Sequence, residues 1–159
     1  MPANVKPIPE GYHAITPYLS IKGAADAIDF YKCAFGATEI MRMAQPDGRI
    51  GHAEVKLGDS RIMLADEFPD MDFRSPAAIG GTPVHLHFYV QDVDAVIKQA
   101  VAAGAKLVRP VQDQFYGDRS GSVADPFGHM WHVATHKEDL SMEEIEKRAA
   151  QYAAQHKKS

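Results

Sequence analysis

The sequence predicts an α+β fold: two βαβββ modules related by an approximate twofold axis, mixed curved sheets around a shared cleft, and a C-terminal helix. Three observations predict it. Apolar residues alternate, then recur at three and four, then alternate again, once in each half of the chain. The first helix of each half closes on a glycine-alanine pair, Gly36-Ala37 and Gly104-Ala105, 68 residues apart counting Gly36 to Gly104. The first half ends in three short runs separated by turn residues, and the second half restarts the same order.

The first strand is expected over Tyr12 to Lys22, where Ile15, Leu19 and Ile21 alternate with Thr16, Tyr18 and Ser20. Pro17 suits a strand start or an edge. From Ala24, the residues Ala27, Ile28, Tyr31 and Phe35 form a helical stripe that Gly36 stops. Strands over Thr38 to Ala44, Arg49 to Leu57 and Ser60 to Ala65 follow, with turns at Pro46-Asp47-Gly48 and Gly58-Asp59. Asp66 to Thr82 fits neither copy, and reads as a connection that is either a plain linker or a functional loop. Val84 to Val90 restarts the pattern, with Val84, Leu86 and Phe88 toward the helices and His85, His87 and Tyr89 on the other face. Val93, Val96, Ile97, Ala100 and Val101 make the second helical stripe. Ser141 with Glu144 forms a capping box for a last helix over 141–157. The chain thus divides into one domain, 11–136 (module one 12–66, connection 67–82, module two 83–136), and a helical extension, 137–159.

A chain of 159 residues can bury about two thirds of its unfolded surface and needs no staple to fold. Its net charge of -4, with signs mixed along the chain, offers no basic stripe to nucleic acid. No apolar run reaches the roughly 18 residues of a membrane span, so no membrane partner is expected. The first ten residues hold three prolines and no apolar core, unlike a secretory signal. One cysteine, Cys33, excludes an internal disulfide and fits the cytoplasm; it is expected to be buried and inert.

Ala27-Ile28-Asp29-Phe30-Tyr31 through Phe35-Gly36, and Ala124-Asp125-Pro126-Phe127-Gly128-His129, resemble the vicinal-oxygen-chelate superfamily of glyoxalase I, bleomycin-resistance proteins and extradiol dioxygenases. Pro17-Tyr18-Leu19 followed by Lys22-Gly23-Ala24-Ala25, Leu64-Ala65-Asp66-Glu67 and Tyr116-Gly117-Asp118-Arg119 resemble its PhnB-like branch. The resemblance covers about residues 14 to 136 and implies a cleft for a small-molecule ligand and a homodimer. In the superfamily's metalloenzymes each module supplies ligands from its first and last strands. The matching positions here are Thr16 and Leu64 in module one, His85 and His132 in module two.

That is half a ligand set. A catalytic divalent ion usually keeps three protein ligands of His or carboxylate type, and Leu64 can offer none. Alternation places His52 and Glu54 on one polar face, and His87 beside His85, so a His/His/Glu set could complete the site. Two readings follow. In one, His85 and His132 hold a divalent metal in a lyase, isomerase or dioxygenase, with Glu54 as base. In the other, the metal is lost and His52, Glu54, His85, His87, Tyr116 and His132 line a binding cleft that sequesters a drug or metabolite. Tyr116, Asp118 and Arg119 read either as a surface ion pair or as a rim gripping an anion. No nucleophile paired with a base is visible, and His13, His129, His136 and His156 are not site candidates.

Overall fold

The computed structural model describes residues 4–157. Module one runs β1 (Tyr18–Ile21), α1 (Ala24–Phe35), β2 (Thr38–Ala44), β3 (Ile50–Leu57) and β4 (Ser60–Asp66), with sheet order β1-β4-β3-β2. Module two repeats it as β5 (His85–Tyr89), α3 (Val93–Ala103), β6 (Lys106–Asp113), β7 (Asp118–Ala124) and β8 (Met130–His136), with order β5-β8-β7-β6. In both sheets the first and last strands pair in parallel and the others antiparallel. Between the modules lie a 3-10 turn, Pro69–Met71, and one short helix, α2 (Pro76–Ile79); α4 (Met142–Gln155) closes the chain.

Helix α1 starts where Asp66 Oδ1 accepts the backbone N–H groups of Gly23 and Ala24 at 2.9 and 3.0 Å, two donors a helix cannot satisfy internally. The second oxygen of Asp66 takes the N–H of Ile50 at 2.7 Å, tying helix, β3 and β4 at one point. The helix ends at Gly36, whose φ of 69° is left-handed and available to glycine without strain.

The modules meet through their apolar faces. Helix α1 sends Tyr31 and Phe35 across to Trp131, with ring centroids 5.4 and 4.6 Å apart, and Phe35 also meets Phe88 at 5.8 Å. Asp125 sits beneath this cluster and is almost fully buried. Its Oδ2 accepts the Tyr31 hydroxyl at 2.6 Å and Trp131 Nε1 at 2.9 Å, while Oδ1 accepts the N–H groups of Phe127 and His129. One carboxylate therefore bonds a helix of module one to a strand and a turn of module two.

Four expectations are corrected. Only Tyr18–Ile21 pairs as the first strand; residues 12–17 run outside it, because Tyr12 turns back onto Pro9 and Pro17 has no N–H to give a ladder. Ile15 accordingly stays 87% exposed, and Val84, which precedes β5, is 66% exposed rather than part of the core. Cys33 is exposed: in α1 it shares the outer side with Lys32, while Tyr31, Ala34 and Phe35 point inward. The last helix spans Met142–Gln155 rather than 141–157, Ser141 being its cap, whose hydroxyl accepts the Glu144 N–H at 3.1 Å. Of the 137–159 extension, residues 158 and 159 lie outside the described residues, as do residues 1–3 of the segment read as lacking a signal.

Candidate functional site

Each sheet turns its apolar side to the helices, so its polar side faces away from the shared core. On module two that outer face carries His85, His87 and Tyr89 from β5, His132 and His136 from β8, and Asp118, Ser120 and Ser122 from β7, on the register His87↔His132↔Ser122 and Tyr89↔Ala134↔Ser120. His85 Nδ1 lies 2.8 Å from His132 Nε2, and His132 Nδ1 lies 2.6 Å from Ser122 Oγ. Both nitrogens of His132 are thus engaged, and the serine hydroxyl can donate or accept to match either tautomer. Burial, then electrostatic repulsion from neighbouring His85, His87 and Arg109, holds His132 below its ordinary value of 6.5. The ring is neutral at pH 7, with one nitrogen donating and one accepting. Beside it, fully buried Ala134 and the small Ser120 neighbour His87, Tyr89 and His132 on the sheet.

Farther along this face, Asp118 is almost fully buried and accepts the Tyr89 hydroxyl at 2.9 Å on one oxygen and bonds His136 Nδ1 at 2.8 Å on the other. His136 reaches Asp139 with its other nitrogen, and these two carboxylates raise its pKa from 6.5. The Asp118–Arg119 pair does not form: parity turns Arg119 away, to Asp94 and Asp113. Tyr116 packs edge-on against Phe115, outside the His85–His132 hydrogen-bonded chain.

Module one carries a separate polar group. His52 Nδ1 lies 2.6 Å from the Tyr18 hydroxyl, and His52 Nε2 lies 2.7 Å from Glu54 Oε2. Tyr18 lines two cavities. One, of about 420 Å³, is bounded by Pro17, Phe73, Pro76, Ile79, Val84 and Leu86. The other, of about 410 Å³, has walls of Phe68, Met71 and Phe73 over Ala65. Phe68 to Ile79 belong to the connection, which therefore builds cavity walls and is more than a tether. Neither cavity includes His85 or His132, whose surface is an open face.

The residues present do not fit a catalytic divalent ion. His85 and His132 converge as the sequence implied, but they bond each other. Glu54 and His52 sit on the other sheet, and among the described residues no three His, Cys, Asp or Glu side chains gather where they could hold a metal. Thr16 lies outside β1, and Leu64 is buried. Ser122 escaped sequence reasoning, although the signal existed: counting back from the Asp125–Gly128 turn pairs Ala124 with Met130 and hence Ser122 with His132. The Tyr18–His52 bond spans a whole strand diagonally, and alternation alone does not reveal it.

A model of the Glyoxalase/Bleomycin resistance protein/Dioxygenase superfamily matches residues 13–133. The chain is 42% identical over 149 residues to the uncharacterized protein Mb0911c of Mycobacterium bovis, covering 92% of this chain and 94% of that one. It is 32% identical over 128 residues to the uncharacterized protein At5g48480 of Arabidopsis thaliana, covering 76% of each. Among solved structures it is similar to TioX from Micromonospora sp. ML1, with a TM-score of 0.61, 28% identity and coverage of 81% of this chain and 100% of TioX. It shares its fold with the fosfomycin resistance protein FosX of Listeria monocytogenes, solved with Mn(II) and sulfate, at a TM-score of 0.60, 20% identity and coverage of 86% and 97%.

Proposed function

Because the chain belongs to the Glyoxalase/Bleomycin resistance protein/Dioxygenase superfamily, we propose that it binds a small organic molecule on the outer face of module two, without a catalytic metal. The observation that carries this reading is the Ser122–His132–His85 chain at 2.6 and 2.8 Å, which runs from buried Ser122 through half-buried His132 out to exposed His85. Exposed His85, whose Nε2 makes no hydrogen bond among the described residues, offers a ligand one hydrogen-bond donor or acceptor at modest desolvation cost, and His87 and Tyr89 offer flat surfaces for an aromatic ring. The divalent-metal reading is weaker, since two bonded histidines fall short of the usual three ligands.

We further propose a homodimer in the cytoplasm. The outer face of module two is open in the single chain, and covering it with a second copy would turn an open surface into a cleft. A lone exposed thiol fits a reducing compartment.

Amide-detected NMR with salicylate, catechol and phenylphosphonate as probes tests the site. Shifts confined to β5, β7 and β8 that vanish in the His85→Ala/His132→Ala variant support it. Probes that bind this folded variant as well as the wild type refute it. Saturable uptake of one Zn²⁺ or Mn²⁺ per chain, abolished by the same change, would restore the metal reading.

A further inference from the structure

We infer that Tyr18, His52 and Glu54 form an acid–base relay that takes a proton from a planar, largely apolar ligand seated under the connection. The relay lies on the other sheet and does not rest on the histidine pair of module two. Its geometry sets the direction of transfer. Glu54 has only acceptor oxygens when ionised, so the 2.7 Å contact is donated by His52 Nε2–H, which leaves Nδ1 as an acceptor. Tyr18 therefore donates its hydroxyl proton to Nδ1 at 2.6 Å. A proton arriving at the phenol oxygen pushes the phenol's own proton onto Nδ1, and the imidazolium that forms is held against Glu54. This is the logic of a base oriented and charge-stabilised by a third group, with Tyr18 as the catalytic residue and His52 and Glu54 acting through it.

The surroundings suit such a step. Tyr18 is 45% exposed, and its ring sits edge-on to Phe73 at 5.4 Å and to His52 at 5.3 Å. Tyr18 belongs to the wall of a cavity of about 410 Å³ whose other sides include Phe68, Met71 and Phe73, with Gln45 and Ala65. Burial pushes the Tyr18 phenol up from 10.0, so the resting group is the neutral hydroxyl a relay requires and not a phenolate. Aromatic walls select a flat, apolar body; the ligand's acidic group is a C–H beside an electron-withdrawing centre, or an O–H.

The probe is 5-nitrobenzisoxazole, a flat aromatic C–H acid. Removing its C3 proton sends the C–H electron pair into the new nitrile bond while the N–O bond breaks, leaving 2-cyano-4-nitrophenolate, read by its yellow absorbance. No co-reactant is consumed, and the proton ends on His52. The full-length protein should accelerate this elimination above buffer, with a rate that climbs as pH rises and then levels. Tyr18→Phe and His52→Gln should each lower the rate about ten-fold or more. Glu54→Gln should lower the plateau and move the pH–rate profile toward acid, which a merely structural role would not do. Circular dichroism establishes that each variant is folded, and ¹⁵N-histidine spectra should show the Nε2–H tautomer of His52 in the wild type. The inference is overturned if the wild type is no faster than the triple variant, if Tyr18→Phe keeps the wild-type rate, or if the profile ignores Glu54→Gln.

Discussion

Replacing Asp125 by alanine should cost at least about 4 kcal/mol of stability. The carboxylate serves four donors. Of the two backbone N–H groups, that of Phe127 lies in a half-exposed turn where water can replace the carboxylate, whereas that of His129 is buried, so its loss adds to the cost carried by the side-chain donors. The Tyr31 hydroxyl and Trp131 Nε1 have no such recourse, being on side chains 0% and 2% exposed. Each buried donor left unpaired costs about 1–3 kcal/mol, so the two side-chain donors alone give about 2–6, with about 4 as the centre. For a domain of this size that is a fall in Tm of about 8–16 °C. Urea unfolding followed by tryptophan fluorescence is the assay, because Trp131 is the one tryptophan in the chain and its indole N–H is a donor in question. Tyr31→Phe should cost about 1–2 kcal/mol, and in a double-mutant cycle the two changes should be strongly non-additive. A loss below about 1 kcal/mol in Asp125→Ala would refute the view that this carboxylate fastens one module to the other.

Trp131→Ala should destabilise by about 3–5 kcal/mol, since it removes the ring that Tyr31, Phe35 and Phe88 pack against; equilibrium unfolding checks it. The histidines of module two should give opposite pH signatures. His132, depressed below 6.5 in the folded state, leaves the unfolded chain to take up protons first, so stability falls as pH drops below about 6.5. His136, raised by Asp118 and Asp139, adds stability that is fully present below 6.5 and is lost as pH climbs through its folded value. NMR titration should put the His132 midpoint below 6.5 and that of His136 above it, and a reversed order would contradict the contacts described. Cys33 should react stoichiometrically with a thiol reagent in the native protein, in contrast to the burial its sequence context suggests. Light scattering should return twice the 17.5 kDa chain mass if the outer faces pair.

Architecture was more legible than site. Periodicity, turn residues and the Gly36/Gly104 register are local signals, and they placed α1, α3 and strands β2 to β5 within a residue or two of their positions. The first strand was overextended because Ile15 and Thr16 alternate correctly while nothing pairs with them, and pairing is a long-range fact. His85 and His132 were legible as neighbours through the repeat. Their partner Ser122 required hairpin counting, and the walls given by Phe68, Met71 and Phe73 required knowing how the connection folds back, with Phe68 and Phe73 bridging each other. Cys33 misled because residue type favours burial while its helical position, beside Lys32, turns it to solvent. The two polar groups were expected in one cleft. The alternation of each sheet was read correctly, but which side of each sheet meets the other module is a tertiary choice made by the aromatic residues of α1.

The aromatic seam between the modules also sets a timetable for biosynthesis. Tyr31 and Phe35 leave the ribosome early, yet the groups that cover them, Asp125 and Trp131, are made about 95 to 100 residues later. At roughly 5–20 residues per second, the aromatic side of α1 waits on the order of 5–20 seconds for its counterpart. During that interval the nascent first half displays a sticky helix with no place to lodge, a natural client for a chaperone. Module one expressed alone should therefore aggregate, and the two halves cut at the connection should recover solubility only when they are synthesised together.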